Sequence, residues 1–107
     1  MELKENTLNN VPEGTVIFEV GMVADHICAV LKGSVLMSAA GIRHIVKSGS
    51  MFGIADAYNG SYRCEYKAME NALLYVFSVK GEDGMKLFLE KYVDYRGISV
   101  ASMSRLT

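Results

Sequence analysis

The chain reads as a mainly β domain that closes on itself as a small sandwich or barrel and ends in two C-terminal helices. Two observations predict this class. Short β-branched and aromatic segments, separated by glycine turns at intervals of about 8–12 residues, fill the first two-thirds. In the last third the apolar period changes from that of a strand to that of a helix. At 107 residues the chain is one domain with room for a single core. The β portion is expected over residues 11–78 and the helices over 79–107.

Each element has its own signal. Thr15 to Val20 is β-branched and aromatic, opened by Pro12-Glu13-Gly14 and closed by Gly21. His26 to Leu31 forms the next strand, ending at Lys32-Gly33, and Ser34 to Ser38 the one after it, with Ala39-Ala40-Gly41 as a turn. Ile42 to Lys47 alternates apolar with polar and stops at Ser48-Gly49. Arg63 to Met69 alternates again, and Ala72 to Ser78 is a continuous apolar strand. Beyond it, Met85, Phe88, Leu89 and Tyr92 fall on one helical face. Ser78 is the expected N-cap, with Glu82 and Asp83 near the helix start, where the macrodipole favours acids. A second helix is expected from Tyr92 onward, with Val93, Val100 and Met103 on one side and small residues at Gly97, Ser99, Ala101, Ser102 and Ser104.

Composition narrows the function. Net charge is −1, with no basic block, which argues against a nucleic-acid surface. No apolar run approaches the roughly 18 residues of a membrane span. The charged N-terminus lacks the apolar core of a signal peptide, so a cytoplasmic location is the default expectation. Cys28 and Cys64 lack a C-x-x-C pairing and are expected as reduced thiols in strands. The seven methionines, Met37 and Met51 among them, fit an adaptable core. No P-loop, dinucleotide fingerprint or paired-carboxylate signature is present. His26 and His44 stand on separate strands and not as His-x-His. A metal-dependent cupin-like barrel, the rival from the enzyme class, therefore has no evident ligand set. Catalytic residues and metal ligands are accordingly expected to be none.

Local chemistry offers one ligand site. Ser48-Gly49-Ser50-Met51-Phe52-Gly53 breaks a strand at two glycines and runs into Ile54-Ala55-Asp56-Ala57-Tyr58. Glycine permits close approach of the backbone, and a helical start presents unpaired N–H groups, so Gly53, Ile54 and Ala55 form a candidate anion cradle or a plain turn. Tyr58 and Tyr62 flank the turn Asn59-Gly60-Ser61 and could close over an aromatic ligand.

The order of these pieces resembles the cyclic nucleotide-binding domain, the family of catabolite activator proteins, protein kinase A regulatory subunits and channel gating domains. Val11 to Gly21 resembles the family's opening strand and hairpin, Ala29 to Val35 its Ile-Leu-x-Gly-x-Val strand pair, and Ser48 to Gly53 the opening of its phosphate-binding cassette. The resemblance implies a double-stranded β-helix, that is a jelly-roll-like β-roll, followed by two C-terminal α-helices.

It also implies a degenerate cassette. The family reads Phe-Gly-Glu-Leu-Ala and then, some ten residues on, Arg-Ser/Thr-Ala; the glutamate takes the ribose 2′-hydroxyl and the arginine the cyclic phosphate. Ile54 stands at the glutamate and cannot accept that bond, which leaves a hydroxyl unpaired at a cost of about 1–3 kcal/mol. An ungapped match puts Tyr62 on the arginine, with Arg63 one step later and Cys64 beyond it. In a strand, successive residues face opposite ways, so Arg63 faces away if Tyr62 faces the pocket. Arg63 is thus an anion anchor or a solvated strand residue beside Glu65, and Asp56 would repel a phosphate unless it points to solvent. Loss of both anchors would weaken cyclic AMP binding by about 10²–10⁴.

The resulting expectation is a non-enzymatic small-ligand sensor or regulatory domain that binds cyclic AMP poorly. Its ligand is a cyclic nucleotide or another small anionic or apolar molecule, with no cofactor. Val93–Thr107 is the expected homodimerisation and transmission element. The alternative is a module without ligand, in which Ile54 and Tyr62 pack inward and fill the pocket.

Overall fold

A computed structural model describes residues 2–81 and 83–94, the last four as backbone. Two four-stranded antiparallel sheets face one another. One has the order β1 (Thr7–Val11), β8 (Ala72–Ser78), β3 (His26–Lys32), β6 (Met51–Phe52); the other has β2 (Val16–Phe18), β7 (Glu65–Ala68), β4 (Ser34–Ala39), β5 (Ile42–Lys47). Every connection between consecutive strands changes sheet, except the β4–β5 hairpin, whose two turn residues Ala40 and Gly41 both have positive φ. This alternation is the β-roll expected above. Its tightest corner is Gly33, the only residue between β3 and β4. Its φ is +80°, and a Cβ there would lie 2.6 Å from the Asn71 carbonyl oxygen, so only glycine fits.

The core lies between the sheets. Val11, Phe18, Cys28, Val30, Val35, Val46, Phe52, Tyr62, Tyr66, Leu74 and Val76 form its main cluster. Alternation along β3 and β8 sends the remaining apolar residues to the outer face of their sheet. There Ile27, Met51, Phe77 and Val79 join Phe88 in a second cluster beneath α2 (Gly84–Asp94).

Several boundaries differ from the sequence reading. The β portion starts at Thr7, not at residue 11, because β1 pairs with β8 from Thr7↔Val76 to Val11↔Ala72. Asparagine is poorly suited to strands, yet Asn9 is buried with its side chain satisfied locally: Oδ1 accepts from Lys4 N, and Nδ2 donates to the Lys4 and Thr7 carbonyls. Ser78 is the last residue of β8 rather than a helix cap. Leu89 is exposed, so within α2 Phe88 and Met85 make the packing contact. The second expected helix falls largely outside the described residues, as does most of Val93–Thr107.

Candidate functional site

The cassette segment folds as a short helix, α1 (Ile54–Asn59), inserted between β6 and β7. Its N-cap is Gly53, in the left-handed conformation with φ 94° and no side-chain cap. A Cβ on Gly53 would lie 3.1 Å from the His26 carbonyl oxygen and 3.6 Å from a Tyr62 ring carbon. The glycine therefore lets the chain turn tightly against β3. The helix closes at Gly60, whose N–H donates to the Asp56 carbonyl at 2.8 Å.

Consecutive positions on α1 are rotated by about 100°, so its two sides meet different surroundings. Ile54 and Ala57 pack on the outer cluster with Ile27, Met51 and Phe77. Asp56 points the other way, into the roll, and is 4% exposed. Its Oδ2 accepts a short 2.5 Å bond from the Tyr66 hydroxyl, and its Oδ1 accepts the Arg63 backbone N–H at 3.1 Å. Arg63 Nε approaches the same Oδ1 to 3.8 Å, while most of the Arg63 side chain is exposed.

A cavity of about 340 Å³ opens above this group, lined by Met37, Ala39, Ala55, Asp56, Arg63, Cys64 and Tyr66. Met37 and Ala39 share a face of β4 because they are two apart, and Met37 pairs with Tyr66 across the β4–β7 ladder. Tyr66 is the aromatic in the cavity lining; it stacks on Phe52 at 4.6 Å in the core, where Tyr62 stacks on Phe18 at 4.1 Å. Burial drives the Tyr66 phenol above its ordinary range, and the hydrogen bond to Asp56 adds to the shift, so it remains a neutral donor. The Cys64 thiol is raised by burial and then by the Asp56 charge, against the opposing pull of Arg63.

Of the six residues expected to form the site, Ala55, Arg63 and Cys64 line this cavity. Gly53 is buried against β3 and does not line it. Ile54 faces the opposite side of α1, so it neither lines the cavity nor fills it. Tyr62 belongs to the core, its hydroxyl donating to the His26 carbonyl at 2.6 Å. It therefore does not close over a ligand with Tyr58, which is exposed. The strand-alternation argument for Tyr62 and Arg63 does not apply, because β7 begins only at Glu65 and residues 62–64 are irregular. Tyr62 turns inward while Arg63 and Cys64 both reach the cavity. Asp56 points inward, not to solvent. Met37, Ala39, Asp56 and Tyr66 line the cavity but were not among the residues expected to form the site; the two-residue spacing of Met37 and Ala39 was the available signal for that pair.

Among the described residues no group of three or more His, Cys, Asp or Glu side chains could hold a metal ion. His26 places its ring nitrogens against Glu5 and Asp25, and His44 is exposed on β5. No described helix is long and apolar enough to cross a membrane.

The model of the cyclic nucleotide-binding domain matches residues 8–84, well over half the chain. The chain belongs to this family. Solved structures agree on the fold. A protein from Geobacter metallireducens GS-15 described as cyclic nucleotide-binding superposes with a TM-score of 0.68 at 20% identity, covering 92% of this chain and 76% of its own. The PKAR CBD2 domain bound to Sp-2Cl-cAMPS gives 0.65 at 15% identity, over 86% and 68% of the two chains. A protein from a cyclic-GMP-dependent signalling pathway that regulates bacterial phytopathogenesis gives 0.61 at 16%, over 85% and 83%. No curated protein sequence matches.

Proposed function

We propose that this domain is a non-enzymatic regulatory module that binds a small ligand in the cavity between β4, α1 and the segment before β7, and that it binds cyclic AMP weakly. One observation carries the reading. The cavity is in place with Arg63 at its wall, but Ile54, at the position of the family's glutamate, points away from it and supplies no acceptor. A sugar hydroxyl placed there would lose its partner, at about 1–3 kcal/mol. Membership of the family and the nucleotide analogue bound to PKAR CBD2 support ligand binding as the mode of action.

Calorimetric titration with cyclic AMP and cyclic GMP tests the second half of the proposal. Little heat up to millimolar nucleotide is expected. Micromolar binding that disappears in Arg63→Ala would overturn it. The first half is tested by a thermal-shift panel of small uncharged molecules on wild type and Ala39→Trp, which fills the cavity. A ligand that raises the melting temperature of wild type and not of Ala39→Trp is the expected result.

The ligand-free structural module is favoured by one feature, the packing of Tyr62 into the core. If no molecule stabilises wild type and Ala39→Trp is itself more stable, that reading replaces the first. Self-association through Val93–Thr107 accompanies either reading, and sedimentation showing a monomer at tens of micromolar would remove it.

A further inference from the structure

The identity of the ligand class rests on the cavity being a ligand site, and the residue that bears on it is Asp56. We propose that Asp56 is a resident counter-charge to Arg63, closing the cavity to anions and selecting uncharged ligands.

The first ground is that the carboxylate cannot leave. Its side chain is 6% exposed, and each oxygen is held by a different donor, Oδ2 by the Tyr66 hydroxyl and Oδ1 by Arg63 N. The second is that Arg63 is the only cationic side chain lining the cavity among the described residues, and its Nε already lies 3.8 Å from that carboxylate. The wall charges therefore sum to zero before any ligand arrives. An anion drawn to the guanidinium would share the cavity with a buried negative charge that solvent screens poorly. The third ground is that the bonds holding α1 do not call for the charge. An asparagine at 56 would still accept the Arg63 N–H through its carbonyl oxygen and could donate its amide to the Tyr66 oxygen. The remaining walls, Met37, Ala39, Ala55 and Cys64, carry no formal charge and suit an uncharged ligand.

The test is a gain of binding. Asp56→Asn keeps the size and one carbonyl acceptor while removing the charge. Cyclic AMP is titrated into wild type, Asp56→Asn and Asp56→Asn/Arg63→Ala, with melting temperature and near-ultraviolet circular dichroism recorded for each. Asp56→Asn is expected to bind about tenfold tighter or more than wild type, and the gain is expected to vanish in the double variant. A folded Asp56→Asn that binds cyclic AMP no better than wild type overturns the inference. If Asp56→Asn does not fold, Asp56→Ala/Tyr66→Phe removes both ends of the buried bond and is judged by the same comparison. Tight binding of cyclic AMP by wild type would overturn this inference together with the weak-binder reading, whereas weak binding by wild type with no gain in Asp56→Asn would overturn the inference alone.

Discussion

The two sides of α1 solve opposite problems with adjacent residues. On the outer side, Ile54 and Ala57 join an apolar cluster that reaches α2 through Phe77 and Phe88, whose rings meet edge to face at 5.1 Å. On the inner side, Asp56 ties α1 to Tyr66 and Arg63 by directional bonds around a cavity. Apolar packing is non-directional and tolerates sliding, whereas a doubly held carboxylate has one geometry. The comparison teaches that the two faces of α1 are held by different means, directional bonds on the cavity side and apolar packing on the α2 side.

The largest test removes the outer contact. Phe88→Ala should cost about 3 kcal/mol or somewhat more, read as a lower denaturant midpoint. The near-ultraviolet signal of the inner tyrosines should persist before the transition. Loss of that signal at low denaturant would mean that the two sides are one packing unit.

Tyr66→Phe probes the inner side and should cost about 1–3 kcal/mol, because it strips a charged, buried oxygen of its donor. A cost near zero would show that water or another group satisfies Asp56, and the directional half of the comparison would fail.

Thiol reactivity sharpens the contrast without altering stability. Cys28 is fully buried and its thiol is driven up by desolvation, so it should react with an alkylating reagent only on unfolding. Cys64, in the cavity wall, should react in the native state but more slowly than a free thiol at pH 8, since burial and Asp56 hold its thiolate fraction down. Equal rates for the two cysteines would contradict this placement.

The smallest effect lies far from α1. Exposed Glu5 contacts Lys80 and His26; its carboxyl is lowered mainly by the hydrogen bond from Lys80 and next by that from His26. A folded value below the ordinary 4.5 means that the contribution is present above about pH 4.5 and is lost as pH falls through the lowered value. Glu5→Gln should therefore flatten the acid limb of the stability curve slightly, and melting curves from pH 3 to 6 would detect it. The effect is small because Glu5 and Lys80 are solvent-exposed.

Much of the fold was legible because strands announce themselves locally. Val35, Val46, Leu74 and Val76 sit in apolar alternations or runs, and all are buried. β1 was not legible, since Asn9 and Asn10 are poorly suited to strands and only pairing with β8 makes them one. The site was legible in part. Gly53, Arg63 and Cys64 stand out by type and by resemblance, and the positive φ of Gly53 agrees with its residue type. The partners of Asp56 were not legible, because Tyr66 reaches it across ten residues and a change of sheet.

The sequence by itself determined the β class, the glycine corners, the apolar face of α2 around Phe88 and the absence of an acceptor at Ile54, all of which depend on residue type and short spacing. The tertiary structure alone decided which way Tyr62, Arg63 and Asp56 point. Those three lie in a short helix and an irregular segment where no period fixes the side of a residue. Their directions follow from where β7 starts and from which donors the opposite sheet brings within reach of a buried carboxylate.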